Sequence, residues 1–339
     1  MQLNKKIIYL IWLMFYGTIS CALTNNYQPN PTFFESSFRR FLQDVNENSI
    51  RNRDWNKENW QKYINTQLKK LPINNKQEFN EAVQSALKDL NDNHSFLVIE
   101  KNHHSNTHPH NYTNNFIRVK DGIGIIHITT NITLDFINQK DAVLNEHTVK
   151  RFHDELAKIK SSVSKGWIID LQNNEGGNMY PMLACLSDFL SKKNLGGFYM
   201  YKNNNKTTLK QIVSFDGKNF LFNNKITLSY NNNYPVGTIT LPTIVIINNR
   251  TASSGEFIAL ALQRQPNVIL IGQHSSGTAT ANVNMKLPNK LGCYMLAVGH
   301  YLNKDDKPLL TEKVNPGMLF LDPKTNFIEE AKKLILRLS

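Results

Sequence analysis

The sequence predicts an α/β fold of mainly parallel strands and helices, preceded by a small N-terminal helical subdomain. From residue 122 onward, short β-branched runs alternate with longer amphipathic stretches, a pattern typical of a parallel sheet with flanking helices. Before that point, apolar side chains recur at helical spacing between residues 54 and 90. A chain of 339 residues with 40% hydrophobic residues can bury a full core, which excludes a fibrous or disordered protein.

Residues 1–22 have the three parts of a secretory signal peptide. Lys5 and Lys6 form a basic start, an apolar run covers residues 7–19, and small residues ending at Ala22 offer a cleavage site. The apolar run is shorter than the roughly 18 residues that suggest a membrane helix. We therefore expect an exported protein, periplasmic or extracellular, without a stable membrane span. The alternative is a lipid anchor on Cys21, although Thr18 stands where such signals usually carry leucine.

Residues 23–97 are predicted to form the helical subdomain. Trp55, Trp60 and Tyr63 begin a helical pattern, which Pro72 interrupts and which resumes up to Leu90. The polar residues 98–121 follow and predict a loop. Four histidines of this loop could ligate a metal, but no acidic side chain lies among them, so we expect no metal site. They are His103, His104, His108 and His110.

Residues 122–339 are predicted to form the α/β domain, with an inserted segment of short strands and turns at about 198–240. Strands are expected at 124–128, 167–171, 244–248, 268–272 and 293–298. Helices are expected at about 146–161, at 180–190, from residue 254 onward and at 326–338.

The composition of the chain restricts the classes of partner and cofactor that we expect. The formal net charge of +12 would suit an anionic partner, but the lysines are scattered in pairs without interleaved aromatic residues, so we expect no nucleic acid. Removal of residues 1–22 leaves only Cys185 and Cys293, too few for a disulfide framework. The sequence also contains no zinc-type cysteine spacing. We expect neither a metal nor an organic cofactor.

A serine follows the apolar strand at 243–248, within the sequence Thr-Ala-Ser-Ser-Gly-Glu at residues 251–256. Ser253 could be a nucleophile, because the unpaired amides and partial positive charge of a helix start stabilise an oxyanion. The alternative is that Ser253 or Ser254 only caps the helix, since Glu256 is placed for a capping box.

Two more segments carry candidate chemistry. Gly176 and Gly177 follow the strand at 167–171, where a glycine backbone can approach a ligand closely and point its amides at it. His94 lies at the exit of the helical subdomain, where a neutral imidazole could accept a serine proton. The alternatives are an ordinary glycine turn and an ordinary polar loop residue.

Taken in order, these segments resemble the tail-specific, or C-terminal-processing, serine protease family, and more closely its tricorn-like branch. The resemblance spans about residues 54–325 and implies a crotonase/ClpP-like core. It implies Ser253 as the nucleophile, and an oxyanion hole built from Ser254 and the Gly176-Gly177 turn. Five motifs carry it: Asp54-Trp55, Asp92-Asn93-His94-Ser95, Gly122-Ile123-Gly124-Ile125-Ile126, Asp170-Leu171-Gln172-Asn173-Asn174-Glu175-Gly176-Gly177 and Thr251-Ala252-Ser253-Ser254-Gly255-Glu256.

The resemblance also implies a histidine base. The processing branch uses a Ser-Lys dyad, but Thr278 occupies the lysine position here, and the next lysine, Lys286, lies in a predicted strand. The tricorn-like branch uses serine, histidine and glutamate, which map onto Ser253, His94 and Glu312. The alternative for Glu312, which lies shortly before a Val-x-Pro segment, is an ordinary loop acid.

We therefore expect an exported serine endopeptidase that hydrolyses protein or peptide substrates through an acyl-enzyme. Residues 96–121 are too few for the PDZ domain that processing proteases insert there. We therefore expect the pocket and the inserted segment to determine substrate specificity. Two alternatives keep the fold: a peptide- or ligand-binding protein without turnover, and an enzyme of non-peptide acyl transfer. The sequence makes no prediction about the oligomeric state.

Overall fold

A computed structural model of the chain describes residues 31–98, 117–129, 140–202, 207–322 and 324–339. The predicted signal peptide and the histidine cluster at 103–110 lie outside these residues. The chain divides into two compact units. Unit one comprises the residues up to 106 with 198–210 and 280–300, and unit two comprises 107–197, 211–279 and 301–339.

The described residues form helices and strands in mixed order. The α-helices are α1 (Pro31–Asn48), α2 (Lys57–Leu68), α3 (Lys76–Lys88), α4 (Lys140–Lys160), α5 (Met179–Cys185), α6 (Ser254–Gln263) and α7 (Phe327–Leu338). Short 3-10 helices lie at Ile50–Arg53, Ser187–Phe189 and Pro288–Lys290. The strands are β1 (Phe96–Val98), β2 (Ile117–Lys120), β3 (Ile123–His127), β4 (Gly166–Asp170), β5 (Asn194–Lys202), β6 (Thr207–Phe215), β7 (Asn219–Phe222), β8 (Lys225–Ser229), β9 (Thr243–Ile247), β10 (Val268–Gly272), β11 (Thr280–Lys286), β12 (Cys293–Tyr301) and β13 (Met318–Leu319).

Unit one contains the helices α1, α2 and α3. The last two match the helical pattern of the sequence, each begins at an asparagine cap, and Pro72 lies between them. The first, α1, lies before that pattern, in a segment that is rich in polar residues and has a single apolar stripe. Phe34, Phe38, Phe41 and Val45 recur at intervals of three or four residues and are all buried, which is why the segment is helical.

Strand pairing joins distant parts of the sequence within unit one. β12 pairs antiparallel with β1 on one side and with β11 on the other. Phe96 lies opposite Met295 in the first pair, and Thr280 lies opposite His300 in the second. Residues 280–300, which the sequence placed with the α/β domain, therefore cluster with the helical subdomain.

Unit two is built on a six-stranded sheet in the order β13-β10-β9-β4-β3-β2. β3, β4, β9 and β10 are parallel, β13 runs parallel to β10, and β2 is antiparallel to β3. The prediction that this part of the chain contains both helices and strands is thus confirmed. One face of the sheet forms a core with α7, from Ile123, Ile125, Ile168, Ile244, Ile246, Ile271, Phe327, Ala331 and Ile335.

The turns after β4 and β9 are tied to each other at the carboxyl edge of this sheet, where open parallel sheets place their ligand sites. The Thr251 hydroxyl donates to the Leu171 carbonyl at 2.8 Å, and the Ala252 amide donates to the Asn174 carbonyl at 2.9 Å. The glycine turn and the start of α6 are therefore held side by side.

The inserted segment contains the short strands that the sequence predicts. β6, β7 and β8 form an antiparallel meander within it, and β5, which begins at Asn194, precedes them. A buried carboxylate, Asp188, ties this segment to α4. It accepts from Lys160 and Thr238, and lies 3.3 Å from His153 Nδ1.

Cys185 and Cys293 are both buried free thiols. Burial raises the pKa of Cys185, which makes the thiol unreactive. Among the helices in the described ranges, none has both the length and the apolar character to cross a membrane. The same residues contain no group of three or more histidine, cysteine or acidic side chains that could hold a metal ion.

Candidate active site

Ser253 lies at the start of α6 in a strained backbone conformation. Its φ of 51° and ψ of −120° fall outside the regions that residues with side chains normally adopt, at a cost of about 1–3 kcal/mol. The Ser253 amide is held from two directions, by Glu256 Oε2 at 2.7 Å and by Thr278 Oγ1 at 2.8 Å. A serine on a strained strand-to-helix turn exposes its hydroxyl, as a nucleophile requires.

The carboxylate that holds Ser253 belongs to Glu256, which is fully buried. Glu256 Oε2 also accepts from the amide and the hydroxyl of Thr278, at 3.2 and 2.7 Å. Glu256 Oε1 accepts from the Ser275 hydroxyl and, at 3.3 Å, from the Gly277 amide. Burial raises the pKa of Glu256, and these hydrogen bonds oppose the rise. The hydrogen bond from the Ser253 amide to Glu256 is the one expected of the acid in a capping box. Glu256 therefore supports the turn that carries Ser253.

The family resemblance of the sequence maps Thr278 onto the position of the lysine in processing proteases. The Thr278 hydroxyl accepts from the Ser253 amide and donates to Glu256. A threonine hydroxyl is not basic, so this side chain positions the turn and cannot take a serine proton. Lys286, the next lysine, is exposed at the end of β11.

The Gly176-Gly177 turn packs directly against the serine. Both glycines have φ near +105°, a conformation that favours glycine. A Cβ atom on Gly176 would lie 2.9 Å from the Ser253 Cβ and 3.3 Å from the Ser254 nitrogen. The Gly176 amide donates to Asn174 Oδ1 at 3.0 Å, and the Gly177 carbonyl accepts from the Ser254 hydroxyl at 2.7 Å. Only glycine allows this approach.

Tyr301 is a neighbour of Ser253 that the sequence analysis did not identify. Its ring is buried and meets Phe257 of α6 edge-on, with centroids 5.4 Å apart. Burial has the largest effect on the pKa of this phenol and raises it, whereas the nearby Ser253 side chain acts to lower it. Burial, with a smaller contribution from the nearby charge of Glu256, raises the pKa of Tyr301 and keeps the phenol protonated.

His94 lies in unit one, on a turn that Asp92 organises. The buried Asp92 carboxylate accepts from the amides of His94 and Ser95, at 3.0 and 2.8 Å, and from the Ser95 hydroxyl at 2.6 Å. His94 Nδ1 lies 2.7 Å from Thr280 Oγ1, and the His94 carbonyl accepts from the Asn282 side chain at 2.8 Å. The aspartate of the Asp-x-His motif thus fixes the backbone, while β11 supplies the partner of the ring.

Glu312 lies on a turn with a φ of 56° and is partly exposed. Its carbonyl accepts from the Ala279 amide at 3.0 Å. Two residues later, Val314 exchanges hydrogen bonds with Ser275, whose hydroxyl donates to the carboxylate of Glu256. The Glu312 turn is therefore anchored to the network that holds the serine.

Within unit two, the structure brings together the predicted nucleophile and the residues predicted for its oxyanion hole: Ser253, Ser254, Gly176 and Gly177. The supporting residues Ser275, Thr280 and Tyr301 were not recognised in the sequence. A serine, a threonine and a tyrosine in predicted strands and turns carry no local pattern that distinguishes them from ordinary structural residues.

The sequence profile of peptidase family S41 matches residues 122–319, more than half of the chain. The carboxy-terminal processing protease CtpA of Bacillus subtilis (strain 168) is 26% identical over 172 residues, which cover 51% of this chain and 32% of that protein. The nisin-resistance protein of Lactococcus lactis subsp. lactis is 31% identical over 133 residues, covering 38% of this chain and 39% of that protein.

The matches thus span less than two fifths of the length of these two curated relatives. A solved structure of a lipoprotein from Streptococcus agalactiae is similar over 94% of this chain and 100% of that chain, with a TM-score of 0.66 and 22% identity. This likeness shows that the two chains share a fold.

Proposed function

Because this chain belongs to peptidase family S41, a family of serine-type peptidases, we propose that it is an exported endopeptidase with a crotonase/ClpP-like core. It hydrolyses peptide bonds in protein or peptide substrates through an acyl-enzyme on Ser253. The strained backbone of Ser253, held by Glu256 and Thr278, is the observation that carries this proposal. Such strain is retained where a reactive side chain must be presented.

The proposed oxyanion hole uses the backbone amides of Gly177 and Ser254. The Ser254 amide belongs to the first turn of α6, whose amides have no intrahelical acceptor. The Gly176 amide already donates to Asn174, so Gly176 contributes through its missing side chain. Each donor of this kind lowers the barrier by about 3–4 kcal/mol.

His94 is proposed as the general base that takes the Ser253 proton. If the ring donates its Nδ1 proton to Thr280 Oγ1, the lone pair lies on Nε2, which is the tautomer that general-base catalysis needs. Glu312 is proposed as the third member of the catalytic triad, a carboxylate that stabilises the imidazolium form of His94. The anchoring of its turn through Val314 to the Glu256 network supports this role.

A fluorophosphonate probe, which reacts with activated serines, tests the proposal. The wild type and Ser254→Ala should both be labelled, whereas Ser253→Ala should not. Ser254→Ala is the matched control, because it removes the neighbouring hydroxyl and leaves the backbone amide in place. Failure of the wild type to label at any point over roughly pH 6–9, where an unperturbed histidine becomes neutral, would favour the alternative of a binding protein on the same fold.

A further inference from the structure

A cavity of about 440 Å³ lies between the edge strand β2 and the start of α7, within unit two. We call it the β2–α7 cavity. Its lining combines apolar and charged side chains, which include Arg118, Lys120, Ile125, Ile328, Glu329 and Lys332. None of these residues belongs to the proposed catalytic triad or to the proposed oxyanion hole.

The strand register places the two cations of β2 on the side of the sheet that α7 covers. Arg118 lies opposite Ile125 in the β2–β3 pair, and Lys120 lies opposite Ile123. Directly opposite residues of an antiparallel pair share a face of the sheet. Because Ile123 and Ile125 both pack in the core that α7 completes, Arg118 and Lys120 lie on the face that carries α7, at the edge of the sheet.

The lining of the cavity contains three cationic side chains and one carboxylate. Lys332 is paired with that carboxylate, with 2.6 Å between Lys332 Nζ and Glu329 Oε1. The hydrogen bond from Lys332 has the largest effect on the pKa of Glu329 and lowers it, and the charge of Lys120 lowers it further. Arg118 and Lys120 are exposed, and neither forms an ion pair with an acid in the part of the chain that the structure describes. The cavity therefore has an excess of positive charge.

The strand β2 also offers an edge for strand addition. Among the described residues it pairs with β3 alone, and the backbone groups on the other side of such a strand are available to an added strand. Cations on an edge discourage pairing with a second copy of a basic chain, but they attract an acidic strand. Since side chains alternate along a strand, acidic residues two positions apart match the spacing of Arg118 and Lys120.

We propose that the β2–α7 cavity binds an acidic segment of the protein substrate, which adds as a strand to the edge of β2. Carboxylates at alternate positions of this segment pair with Arg118 and Lys120. The inference rests on the proposed function, because it assigns the segment to the substrate.

The sheet brings this site within reach of a substrate that is bound at Ser253. In the sheet order, β2 lies three strands from β9, which precedes Ser253. At the usual spacing of strands this is about 15 Å, a distance that roughly five extended residues cover. One continuous substrate chain can therefore reach both the nucleophile and the β2–α7 cavity.

Fluorescence anisotropy of a labelled peptide with glutamate at alternate positions tests the site. The protein is Ser253→Ala, so that binding is measured without cleavage. We expect this peptide to bind about tenfold more tightly than one with glutamine in place of each glutamate, and the difference should shrink as the salt concentration rises. Methylation of the backbone nitrogens along one edge of the glutamate peptide should abolish binding, because it removes the donors that a strand ladder needs.

Arg118→Glu combined with Lys120→Glu reverses both charges and should weaken binding of the glutamate peptide about tenfold. In the protein that retains Ser253, the same pair of substitutions should raise KM by a similar factor for a substrate that carries the acidic segment. The value of kcat should stay within about twofold of the wild type, since the lost contacts act on binding alone.

Lys192→Glu combined with Lys193→Glu is the matched control. It makes the same change in net charge at two exposed lysines that do not line the cavity, and it should bind the glutamate peptide as the parent does. If the pair at 118 and 120 unfolds at a lower urea concentration than this control, Arg118→Gln combined with Lys120→Gln removes the charges without reversing them. We then expect a loss of affinity of about threefold.

The measured results distinguish the proposed site from the proposed function. A wild type that neither hydrolyses peptides nor reacts with the fluorophosphonate contradicts the proposed function, whatever Ser253→Ala binds. Equal affinity for the glutamate and glutamine peptides, or equal losses in the two pairs of charge reversals, overturns the site. Undiminished binding of the methylated peptide overturns strand addition. Binding to vesicles of anionic phospholipid without binding to the peptide also overturns the proposal, because the partner would then be a membrane surface.

Discussion

The buried carboxylate of Glu256 should be necessary both for stability and for the reactivity of Ser253. It accepts five hydrogen bonds: from the Ser253 amide and from the Thr278 amide and hydroxyl at Oε2, and from Ser275 and Gly277 at Oε1. Substitutions of Glu256 that remove different numbers of these bonds should therefore have graded effects.

Glu256→Gln can keep its carbonyl oxygen at the Oε2 position and so keep three of the five bonds. The Ser275 hydroxyl, which already accepts from the Val314 amide, can turn to accept from the new amide group as well, but its own proton and the Gly277 amide then lose the acceptor that Glu256 Oε1 supplied. One buried unsatisfied amide costs about 1–3 kcal/mol of the free energy of unfolding. Labelling of Ser253 should fall only a few-fold, because the bond to the Ser253 amide remains.

Glu256→Ala removes both acceptor oxygens, and with them all five hydrogen bonds, from a site with no exposed surface. We expect a loss of about 3–5 kcal/mol, at the upper end for a single substitution. Ser253 keeps only the Thr278 hydroxyl as a restraint on its strained amide, so its labelling rate should fall much further than in Glu256→Gln.

Urea unfolding at neutral pH and the rate of fluorophosphonate labelling measure these two effects. Glu175→Gln is the control, because the Glu175 carboxylate pairs with Arg250 at the surface, where both side chains are more than half exposed. It should change the free energy of unfolding by less than about 0.5 kcal/mol. If Glu256→Ala unfolds at the same urea concentration as Glu175→Gln and labels at the wild-type rate, the Glu256 network does not hold the nucleophile.

Three further substitutions test other parts of the structure. Burial acts to raise the pKa of Asp188, but hydrogen bonds from His153, Lys160 and Thr238 outweigh burial and hold that pKa below the ordinary 3.8. Asp188→Asn should therefore cost about 1–3 kcal/mol in urea unfolding at pH 7. The difference from wild type should shrink as the pH falls below 3.8, since a carboxyl group with a depressed folded-state pKa contributes its full stability only above its unfolded pKa. Thr280→Val removes the partner of His94 Nδ1 at constant shape and should lower kcat for peptide hydrolysis about tenfold with KM unchanged, whereas an unchanged kcat would show that Thr280 does not set the tautomer. Glu312→Gln should lower kcat at least tenfold if Glu312 stabilises the imidazolium, and a loss below about twofold would remove it from the proposed triad.

The sequence predicted those parts of the site whose chemistry is local. Ser253, Gly176 and Gly177 lie in the turns that follow the buried strands β9 and β4, so their positions at the carboxyl edge could be inferred from the order of elements. The strained φ of Ser253 and the approach of Gly176 to within contact distance depend on the turns being tied together by Thr251. The hydrogen bonds between these turns are compatible with the sequence motif but cannot be predicted from it.

The helix α1 lies within the predicted helical subdomain, but before the apolar pattern at residues 54–90 on which that prediction was based. Its apolar side chains form a single stripe with polar residues between them, and no proline or glycine interrupts it after Pro31. The mean hydropathy of the segment is that of a polar sequence, although the side chains of the stripe are buried. Periodicity, and not mean composition, is the property that decides whether such a segment folds as a helix.

The partner of His94 could not be identified from sequence because it depends on strand register. Thr280 and Asn282 lie two residues apart, as side chains on one face of a strand do, and one contacts the His94 ring while the other contacts its carbonyl. The pairing of β11 with β12 shifts between Ala281 and Asn282, at an irregularity that alternation of side chains does not predict. A slip of one residue would turn both side chains away from the histidine. The alignment of the proposed base is therefore a property of the β11–β12 register, and a substitution that shifts this register should affect catalysis even where it touches neither Ser253 nor His94.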